Sequence, residues 1–484
     1  MAPGIAIVGM GPGDPDLMTC AARDVLVQAG EVYLRTQLHP AARSLPNDVK
    51  VHSFDELYEQ HHDFESVYLA ITARVLELGS RPQGVVYGVP GDPSVGEATV
   101  AAVRERARES GIPVHLIHGV SFVEPCLAVI GIDALDGLAI IDALELAAGH
   151  HPMFHPDMPA LLGQLYSRDV AADVKLTLMN QYPDEHPVTL IHAAGTPCAR
   201  SVEMALHKID QDEDIGAMTA LYVPAVPRAS SFEGFQETVA HLRAPDGCPW
   251  DRQQSHQSLR QHLLEETYEA LEALDEDDLG SLKEELGDLL LQVVLQVQIA
   301  TEAGEFRMAD VIGSINEKIL RRHPHVFGNL KVEEVREVLH NWEALKAVER
   351  EEKGNGEGLL DGVPRGLPGL AQAAEIQARV ARVGFDWPEL EGVLAKIKEE
   401  LTEAQEAIGA EAIEGEVGDL LFAVVNYARW KQVDPEAALR MANRRFRTRF
   451  GKLEEKARVL GRPLASLEWK QLDALWEAAK EEEA

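Results

Sequence analysis

Short apolar runs alternate with longer amphipathic stretches along the first part of the chain. IAIVGM, GVVYGVP, PVHLIHG, VKLTLMNQ and VTLIHAAG have the length and composition of buried strands. The stretches at 19–29 and 95–110 have the spacing of amphipathic helices. This alternation predicts an α/β domain with a largely parallel sheet over residues 1–223.

The pattern becomes almost wholly helical from about residue 232. PAVPRASS leads out of the α/β domain, and we place a linker at 224–243. KGNGEGLLDGVPRGLPG, at 353–369, is a Gly- and Pro-rich break that forms a second linker within the helical part. We therefore predict a multidomain protein in which two all-α modules, at 244–352 and 370–484, follow the α/β domain.

The two helical modules have the sequence pattern of copies of one unit. LLEETYEAL (263–271) matches IKEELTEAQ (397–405), and EELGDLLLQVV (284–294) matches GEVGDLLFAVV (415–425). A basic stretch then begins at Asn316 and at Asn443, and the copies close on WEALK and WEAAK. Matched features in the same order indicate an internal duplication.

Each copy places two pairs of acids beside the apolar stripes of two helices. The stripes are centred on Thr267 and Leu286 in the first copy, and we expect them to be buried. At about 100° per residue, the paired acids lie near −100° and −160° from each centre, and both angles recur in the second copy. A chain reversal at 275–278, and another around Gly409, would bring the pairs level. The first quartet is Glu266, Glu269, Glu285 and Asp288, and the second quartet is Glu400, Glu403, Glu416 and Asp419.

Four carboxylates at the edge of a core repel one another unless a cation lies between them. Oxygen ligands alone favour a hard divalent ion, Mg²⁺ or Mn²⁺. Di-iron bundles use Glu-x-x-His, and the fourth position here is Asp in both copies, which disfavours iron. The alternative interpretation is a solvated acidic face, which any single ExxE supports. The repetition at matched angles favours a site.

Composition narrows the classes of protein. With 45% apolar and 26% charged residues the chain is globular, and its formal charge of −35 disfavours binding to nucleic acid or to an anionic membrane. The four cysteines form no CxxC pair, which is typical of a reduced, cytoplasmic setting. The chain also has no apolar run long enough for a membrane span.

The helical part resembles the MazG family of nucleoside triphosphate pyrophosphohydrolases. The motif E-x-x-E followed by E-x-x-D is flanked by GCPWDRQQSHQSL and KILRRHPHVFG, and the second copy begins with GFDWPELEGVLAKIKEEL. The resemblance implies a homodimer formed through the helical bundles. It also implies Mg²⁺-dependent cleavage of nucleoside triphosphates between the α and β phosphates, with both quartets as metal ligands. Which copy is catalytic stays open, because both keep all four acids.

The same resemblance implies roles for further residues. Glu265 and Glu399 precede the first metal pair of each copy and are candidates for a base, a second ligand or a solvated acid. Nucleotide contacts are expected from basic and aromatic positions, although a solvated basic face and tryptophans in a core or dimer interface are the alternatives. These positions are Arg321, Arg322, Trp342, Lys346, Arg444, Arg445, Trp476 and Lys480.

The N-terminal domain resembles the tetrapyrrole (corrin/porphyrin) methylase family. VGMGPGDPDLMT (8–19) follows a strand and opens a helix, but a proline interrupts the dinucleotide-binding GxGxxG pattern. VPGDPSVGEATV, HGVSFVEP and AAGTP complete the resemblance over about residues 4–223. It implies that S-adenosylmethionine binds in a cleft between two α/β halves. The implied cleft residues are Pro12, Pro90, Gly91, Asp92, Val95, Ser121, Phe122, Met179 and Ala193.

Three functions are therefore open at this point. The first is a pyrophosphohydrolase that clears nucleotides from the cellular pool. The second function is a methyltransferase with a helical dimerisation scaffold, although HGVSF departs from the PGxSS/T motif of active methylases, so methyl transfer onto a tetrapyrrole is only an option. The third function is a non-catalytic nucleotide sensor. Release of pyrophosphate would distinguish the first from the other two.

Overall fold

A computed structural model of the protein describes residues 4–61, 63–228, 230–332, 334, 337–338 and 358–482. The chain forms two compact units, Met1–Gly247 and Cys248–Ala484. The division falls a few residues after the predicted linker at 224–243. The second half of that segment is itself helical, from Phe232 to Arg243.

The first unit contains two five-stranded sheets, of which the first is wholly parallel. Its strands are β1 (Ile5–Gly9), β2 (Glu31–Leu34), β3 (Lys50–Ser53), β4 (Val85–Val89) and β5 (Val114–Ile117). They lie in the order β3-β2-β4-β1-β5. The central strands are buried on both faces, as the continuous apolar runs IAIVG and VVYGV require.

The second sheet is mixed rather than parallel. Its strands are β6 (Ala139–Asp142), β7 (Ala160–Gly163), β8 (Pro187–His192), β9 (Arg200–Ala205) and β10 (Thr219–Val223). In the order β6-β7-β10-β8-β9, only β6 and β7 are parallel. The connection from β8 to β9 is too short for a crossover, so these neighbours run antiparallel. The α/β class is confirmed, and the largely parallel sheet holds for the first half of the unit.

Helices cover both sheets. They are α1 (Cys20–Gln28), α2 (Asp55–Gln60), α3 (Phe64–Gly79), α4 (Ala98–Glu109), α5 (Val123–Ile130), α6 (Ala143–Ala147), α7 (Arg168–Leu178) and α8 (Phe232–Arg243). Short 3₁₀ segments are Pro15–Leu17, Pro40–Ser44, Ala134–Asp136, Leu206–Gln211 and, in the second unit, Leu464–Ser466.

One predicted strand is a helix, and that prediction was wrong. VKLTLMNQ (174–181) lies largely within α7, whose first turn is capped by the Ser167 hydroxyl accepting from the amide of Val170. Ala171, Val174 and Leu178 are buried at helical spacing. A short apolar run does not by itself distinguish a buried strand from the inner face of a helix.

The second unit is helical throughout its described residues apart from turns and loops. Its helices are α9 (Pro249–Arg252), α10 (Arg260–Glu276), α11 (Leu279–Ala303), α12 (Met308–Arg322), α13 (Pro324–Phe327), α14 (Gly369–Arg382), α15 (Leu390–Glu406), α16 (Ala410–Trp430), α17 (Pro435–Val459) and α18 (Trp469–Glu481). In the described part of the chain, no helix combines the length and apolarity that crossing a membrane requires.

Each module is built around a helical hairpin. α10 packs on α11 and α15 packs on α16. Only two residues join α10 to α11: Asp277 adopts a left-handed conformation (φ 56°), and Asp278 caps α11 by accepting from the amides of Gly280 and Ser281. The second hairpin turns at Gly409, whose φ of 100° favours glycine. The predicted reversals therefore occur where the acidic run and the glycine stand.

The apolar stripes of these hairpins are not buried as expected. Leu286 is 54% exposed on α11, and Leu290 and Val293 beside it are also exposed. Leu421 on α16 is 51% exposed, and Val417 and Val424 share its face. These are equivalent positions in the two copies. Among the described residues no layer fully covers these stripes, so burying them takes a further surface.

Candidate functional site

The first quartet lies where α10 and α11 pack side by side. Carboxylate oxygens of Glu266, Glu269 and Glu285 lie within 4.8 Å of one another. Asp288, one turn beyond Glu285, is close enough for its charge to act on both Glu266 and Glu285. The hairpin thus gathers four acids from two helices at one level.

Desolvation and mutual repulsion raise the pKa values of two acids in this quartet. Partial burial, together with the negative charges of Asp288, Glu269 and Glu285, raises the pKa of the Glu266 carboxyl above its ordinary value. Desolvation and the carboxylates of Glu269 and Asp288 likewise raise the pKa of Glu285. Among the described residues, the charged groups that mainly shift these two pKa values are all acids. The first quartet therefore favours a cation.

The second quartet lies at the matching place on α15 and α16. Carboxylate oxygens of Glu400, Glu416 and Asp419 form one group within 4.8 Å, and those of Glu399, Glu400 and Glu403 form another. Glu400 belongs to both groups and is only 4% exposed. Desolvation and the charges of Glu400 and Glu416 raise the pKa of the Glu403 carboxyl.

A lysine distinguishes this second quartet from the first. Lys396 Nζ lies 2.6 Å from a carboxylate oxygen of Glu400 and 2.7 Å from one of Glu399. Its charge partly offsets the rise in the pKa of Glu403. The second quartet thus holds a positive charge supplied by the chain itself.

The two predicted catalytic acids have different surroundings. Glu265 accepts from the side-chain amide of Gln261 at 2.9 Å and lies 3.4 Å from His262, both on its own helix. Glu399 instead belongs to one of the carboxylate groups of the second module and contacts Lys396. Of the two, Glu399 lies beside metal-ligand candidates.

The predicted nucleotide-binding residues are scattered. Trp476 packs on Phe446 with ring centroids 5.0 Å apart, and Lys480, one turn further along α18, donates to Glu477 at 2.6 Å. Arg444 donates to the Glu276 carboxylate at 3.0 Å, in the first module. Arg321 and Arg322 lie in the last turn of α12, and Arg445 is exposed on α17. Trp342 and Lys346 lie outside the described residues.

The donor set of both quartets fits a hard divalent cation. Every candidate ligand atom is a carboxylate oxygen, and the spacing of these atoms allows several of them to contact one ion. Desolvation and then the neighbouring carboxylates raise the pKa values of Glu266, Glu285 and Glu403, and a bound cation would offset both effects. Mg²⁺ and Mn²⁺ prefer ligands of this kind.

A second candidate site lies at the carboxyl ends of the first sheet in the α/β unit. Here the last residue of β1, Gly9, approaches the backbone of Gly91 and Gly119, which stand two residues beyond the ends of β4 and β5. A Cβ on Gly119 would lie 2.2 Å from the carbonyl oxygen of Gly91, and one on Gly9 would lie 2.6 Å from it. Only glycine permits this approach, and strand ends of this kind are the usual ligand site of open α/β sheets.

Asp92 is the charged group at this edge. Its carboxylate accepts from the ring of His118 at 2.9 Å, from the amide of Gly119 at 3.1 Å and from the amide of Ser94 at 2.7 Å. Although partial burial alone would raise it, these hydrogen bonds hold the pKa of Asp92 below its ordinary value. Asp92 is therefore an ionised acceptor fixed by two neighbouring loops.

Most of the other predicted cleft residues surround this edge. Pro12 contacts Gly195 next to the Ala193 loop, which has a left-handed φ of 51° at Ala193. Pro90 and Gly91 directly follow β4, Ser121 donates to Glu124, and Val95 and Phe122 share one apolar cluster. Met179 packs against a different cluster, formed between the second sheet and its helices. The cleft set thus divides between two parts of the unit.

Sequence reasoning missed two residues of these sites. Lys396 stands four residues before Glu400, and this i, i+4 spacing could have revealed it. His118 opens the HGVSF segment after β5 and could have been paired with the acid that follows β4.

Two protein families match this chain. A family described as "MazG nucleotide pyrophosphohydrolase domain" matches residues 254–327, which contain the first quartet. A family described as "Tetrapyrrole (Corrin/Porphyrin) Methylases" matches residues 4–210, which contain the glycine-lined strand ends. Both resemblances drawn from the sequence are confirmed.

Individual relatives extend these matches. The chain is 40% identical over 492 residues to a Bacillus subtilis (strain 168) protein named "Uncharacterized protein YabN", covering 100% of this chain and 99% of the relative. It is 46% identical over 249 residues to the nucleoside triphosphate pyrophosphohydrolase/pyrophosphatase MazG of Thermotoga maritima, covering 51% of this chain and 95% of that protein. A uroporphyrin-III-C-methyltransferase structure from Thermus thermophilus aligns with 46% of this chain and 92% of its own, at 23% identity and a TM-score of 0.36.

Proposed function

Because the chain belongs to the MazG family of nucleotide pyrophosphohydrolases, we propose that its helical unit hydrolyses nucleoside triphosphates between the α and β phosphates. The products are a nucleoside monophosphate and pyrophosphate, and the biological role is removal of nucleotides from the pool. The observation that carries this proposal is the pair of carboxylate quartets, each gathered on a helical hairpin. A scaffold would gain nothing from clustering like charges.

Mg²⁺ is the proposed cofactor, held by the carboxylates of each quartet. When bound, it supplies positive charge to the triphosphate and polarises the attacking water. The chain contributes the positions of the ligands: two acids from each helix of a hairpin, kept level by the tight turn between them. Without such an ion, a polyanionic substrate would be repelled by the quartet.

Glu399 is the candidate for the group that accepts the proton of the attacking water. Its carboxylate belongs to the same group as Glu400 and Glu403 and contacts the ammonium of Lys396. Glu265, the equivalent acid of the first module, is engaged by Gln261 and His262 on the outside of α10. This difference favours the second module as the catalytic one.

Positive charge for the phosphates is proposed to come from the helix pair α17 and α18. Arg445 and Lys480 lie on these two helices, which pack against each other. Trp476, one turn before Lys480, offers an aromatic surface beside Phe446 on which a base can stack. Trp342 and Lys346 are the corresponding candidates of the first module.

A homodimer is proposed to cover the exposed apolar stripes. Leu286, Leu290 and Val293 of α11 have exposed equivalents on α16, and exposed apolar faces of this size mark interaction surfaces. A second copy of the chain supplies a matching apolar face, because a two-fold interface brings the same patch from both subunits together. Leu290→Glu should therefore lower the mass measured by light scattering, whereas Glu272→Gln on the outer face of α10 should not. A monomeric native protein would contradict the dimer.

The experiment that tests the hydrolase is a product analysis. Purified full-length protein is incubated with Mg²⁺ and a panel of nucleoside triphosphates, including damaged ones, and pyrophosphate and orthophosphate are measured separately. Pyrophosphate with a monophosphate is the expected result. Turnover that yields neither pyrophosphate nor a nucleoside monophosphate would overturn the proposal, and so would methyl transfer without hydrolysis. Binding of nucleotides without any turnover would favour the sensor.

The α/β unit is proposed to bind S-adenosylmethionine at its glycine-lined strand ends. The supporting observation is the fixed carboxylate of Asp92 beside the closely approaching backbone of Gly9, Gly91 and Gly119. Asp92→Asn keeps the shape and removes the charge, and it should weaken binding of the cofactor by about tenfold or more if a charge-assisted hydrogen bond is lost. Calorimetric titration measures this, and Asp133→Asn, a capping residue away from the strand ends, is the control.

A further inference from the structure

The two modules carry different basic residues at one pair of equivalent positions beside the quartets. IKEELTEAQ and LLEETYEAL align Lys396 with His262, since each residue stands four positions before the first acid of its quartet. Lys396 reaches into the quartet and contacts Glu400. His262 turns to Glu265, 3.4 Å away, and its ring lies edge-on to Trp250. The first quartet thus lacks the contact that the second has.

The contact of Lys396 is with the most buried acid of either quartet. The Glu400 side chain is 5% exposed, and that of Lys396 is 37% exposed. A buried carboxylate needs a partner charge, so Lys396 stabilises the second quartet when no metal ion is bound.

A divalent cation that enters the second quartet must compete with this ammonium. Glu400 offers an oxygen to the carboxylate group formed with Glu416 and Asp419, and the same side chain is paired with Lys396. If the ammonium stays, it repels the incoming ion; if it leaves, its two ion pairs are lost. Both outcomes weaken metal binding. His262, the equivalent residue of the first module, contacts Glu265 instead and imposes neither cost on its quartet.

We propose that Lys396 is a resident counter-ion of the second quartet that lowers its affinity for divalent cations, so that the first quartet fills at a lower metal concentration. This inference rests on the proposed function, in which both quartets are metal sites. It makes Lys396 a positioning residue that sets the metal requirement of one copy. The two copies then respond to different ranges of metal concentration although their ligands are the same.

The test is a Mn²⁺ titration of the metal-free, full-length protein. Binding is measured by calorimetry and by the electron spin resonance signal of free Mn²⁺. Glu269→Gln with Glu285→Gln leaves the second quartet alone, and Glu403→Gln with Glu416→Gln leaves the first. The dissociation constant should be higher for the second quartet. In the second-quartet background, Lys396→Met should lower it by about tenfold, the order expected when one partly exposed positive charge beside a divalent ion is removed.

Matched variants separate the proposed role from a general effect of charge. Lys398→Met removes an exposed lysine of the same helix and should change the constant by less than about twofold, since a solvated charge is screened. Lys396→Arg keeps the charge and should behave like the native residue. In the first-quartet background, His262→Lys should raise the constant by about tenfold, and His262→Gln should leave it unchanged.

The outcomes distinguish this inference from the proposed function. Unchanged or weaker Mn²⁺ binding after Lys396→Met, with binding itself intact, would overturn the counter-ion role and leave the metal sites standing. Equal constants for the two native quartets would do the same. Absence of Mn²⁺ binding in both single-quartet proteins would instead overturn the metal sites, and the inference with them. The reciprocal His262→Lys variant keeps the test decisive should Lys396→Met fail to fold.

Discussion

The first and second helical modules carry the same four acids on equivalent hairpins, yet the surroundings of those acids differ. In the first module, carboxylates face carboxylates, and the pKa values of Glu266 and Glu285 rise. In the second, Lys396 contacts Glu400, and Glu399 joins the acids of the quartet. Duplicated ligands therefore do not imply duplicated electrostatics, because the residues one turn away have changed.

The largest expected effect is on catalysis, and it would decide which module is active. Glu269→Gln in the first quartet and Glu403→Gln in the second each remove one ligand without changing shape. Loss of a metal ligand should slow pyrophosphate release by at least about a hundredfold in the catalytic copy, because the metal supplies several kcal/mol of charge stabilisation. The double variant should be inactive in a pyrophosphate assay.

Matched controls lie on the same helices. Glu272→Gln and Glu406→Gln replace exposed acids at equivalent positions outside the quartets and should leave the rate within about twofold, as surface substitutions usually have small effects. Should Glu269→Gln be the variant that abolishes activity, the preference for the second module would be reversed. Activity retained by the double variant would remove both quartets from the reaction.

The next effect is on stability, and it compares the quartets without any substrate. Saturating Mg²⁺ at about a hundred times the dissociation constant should stabilise the helical unit by about 2.7 kcal/mol per filled site. Thermal unfolding of the two single-quartet proteins should show this stabilisation beginning at lower Mg²⁺ for the first quartet. A protein with both quartets disabled should show no such rise, and a rise there would point to binding elsewhere.

A smaller effect tests whether the modules are independent. Arg440 on α17 lies 3.0 Å from Asp275, and Arg444 lies 3.0 Å from Glu276, so the second module is tied to the end of α10. A double-mutant cycle of Arg440→Met with Asp275→Asn should give a coupling of about 0.5–1 kcal/mol in chemical denaturation, the usual size for a partly exposed pair. Arg445→Met should show no coupling to Asp275. Zero coupling for Arg440 would mean that the modules unfold without sensing this contact.

The smallest effect concerns acid and is confined to the second module. Burial alone would raise the pKa of Asp386, but hydrogen bonds from Arg429, the amide of Trp387 and the indole of Trp430 hold it below its ordinary value of 3.8. A depressed folded-state pKa contributes stability above the unfolded value, and this contribution is lost as the pH falls through the folded value. The thermal unfolding midpoint of the native protein should therefore drop as the pH falls from the unfolded-state pKa of Asp386 through its lower folded-state pKa. Asp386→Asn should flatten that drop, and an unchanged profile would show that Arg429 does not stabilise the loop.

Periodicity predicted the parts of the site that depend on local geometry. The eight acids of the quartets share two angles beside an apolar stripe, and helices with short turns were enough to bring them together. The strand ends at Gly9, Gly91 and Gly119 were likewise visible as glycine-rich segments that follow apolar runs. In both cases the signal lies within a few residues of the feature.

Features set by distant contacts were not predictable in this way. Leu286 and Leu421 belong to stripes that look like core, but their exposure depends on what covers them, which periodicity does not encode. Arg444 was expected to bind phosphate, yet its neighbour is Glu276, 168 residues earlier in the chain. VKLTLMNQ became a helix because Ser167 caps it and its apolar side chains fill the core of the second sheet.

The two-residue turn between α10 and α11 has a consequence for how this protein can change over generations. One inserted residue would rotate α11 by about 100° relative to α10 and carry Glu285 and Asp288 away from their partners. Insertions and deletions should therefore be rare among descendants at 277–278, although this turn is exposed and acidic. Selection should therefore conserve the length of this turn. The identities of its residues can vary as long as one of them adopts a left-handed conformation.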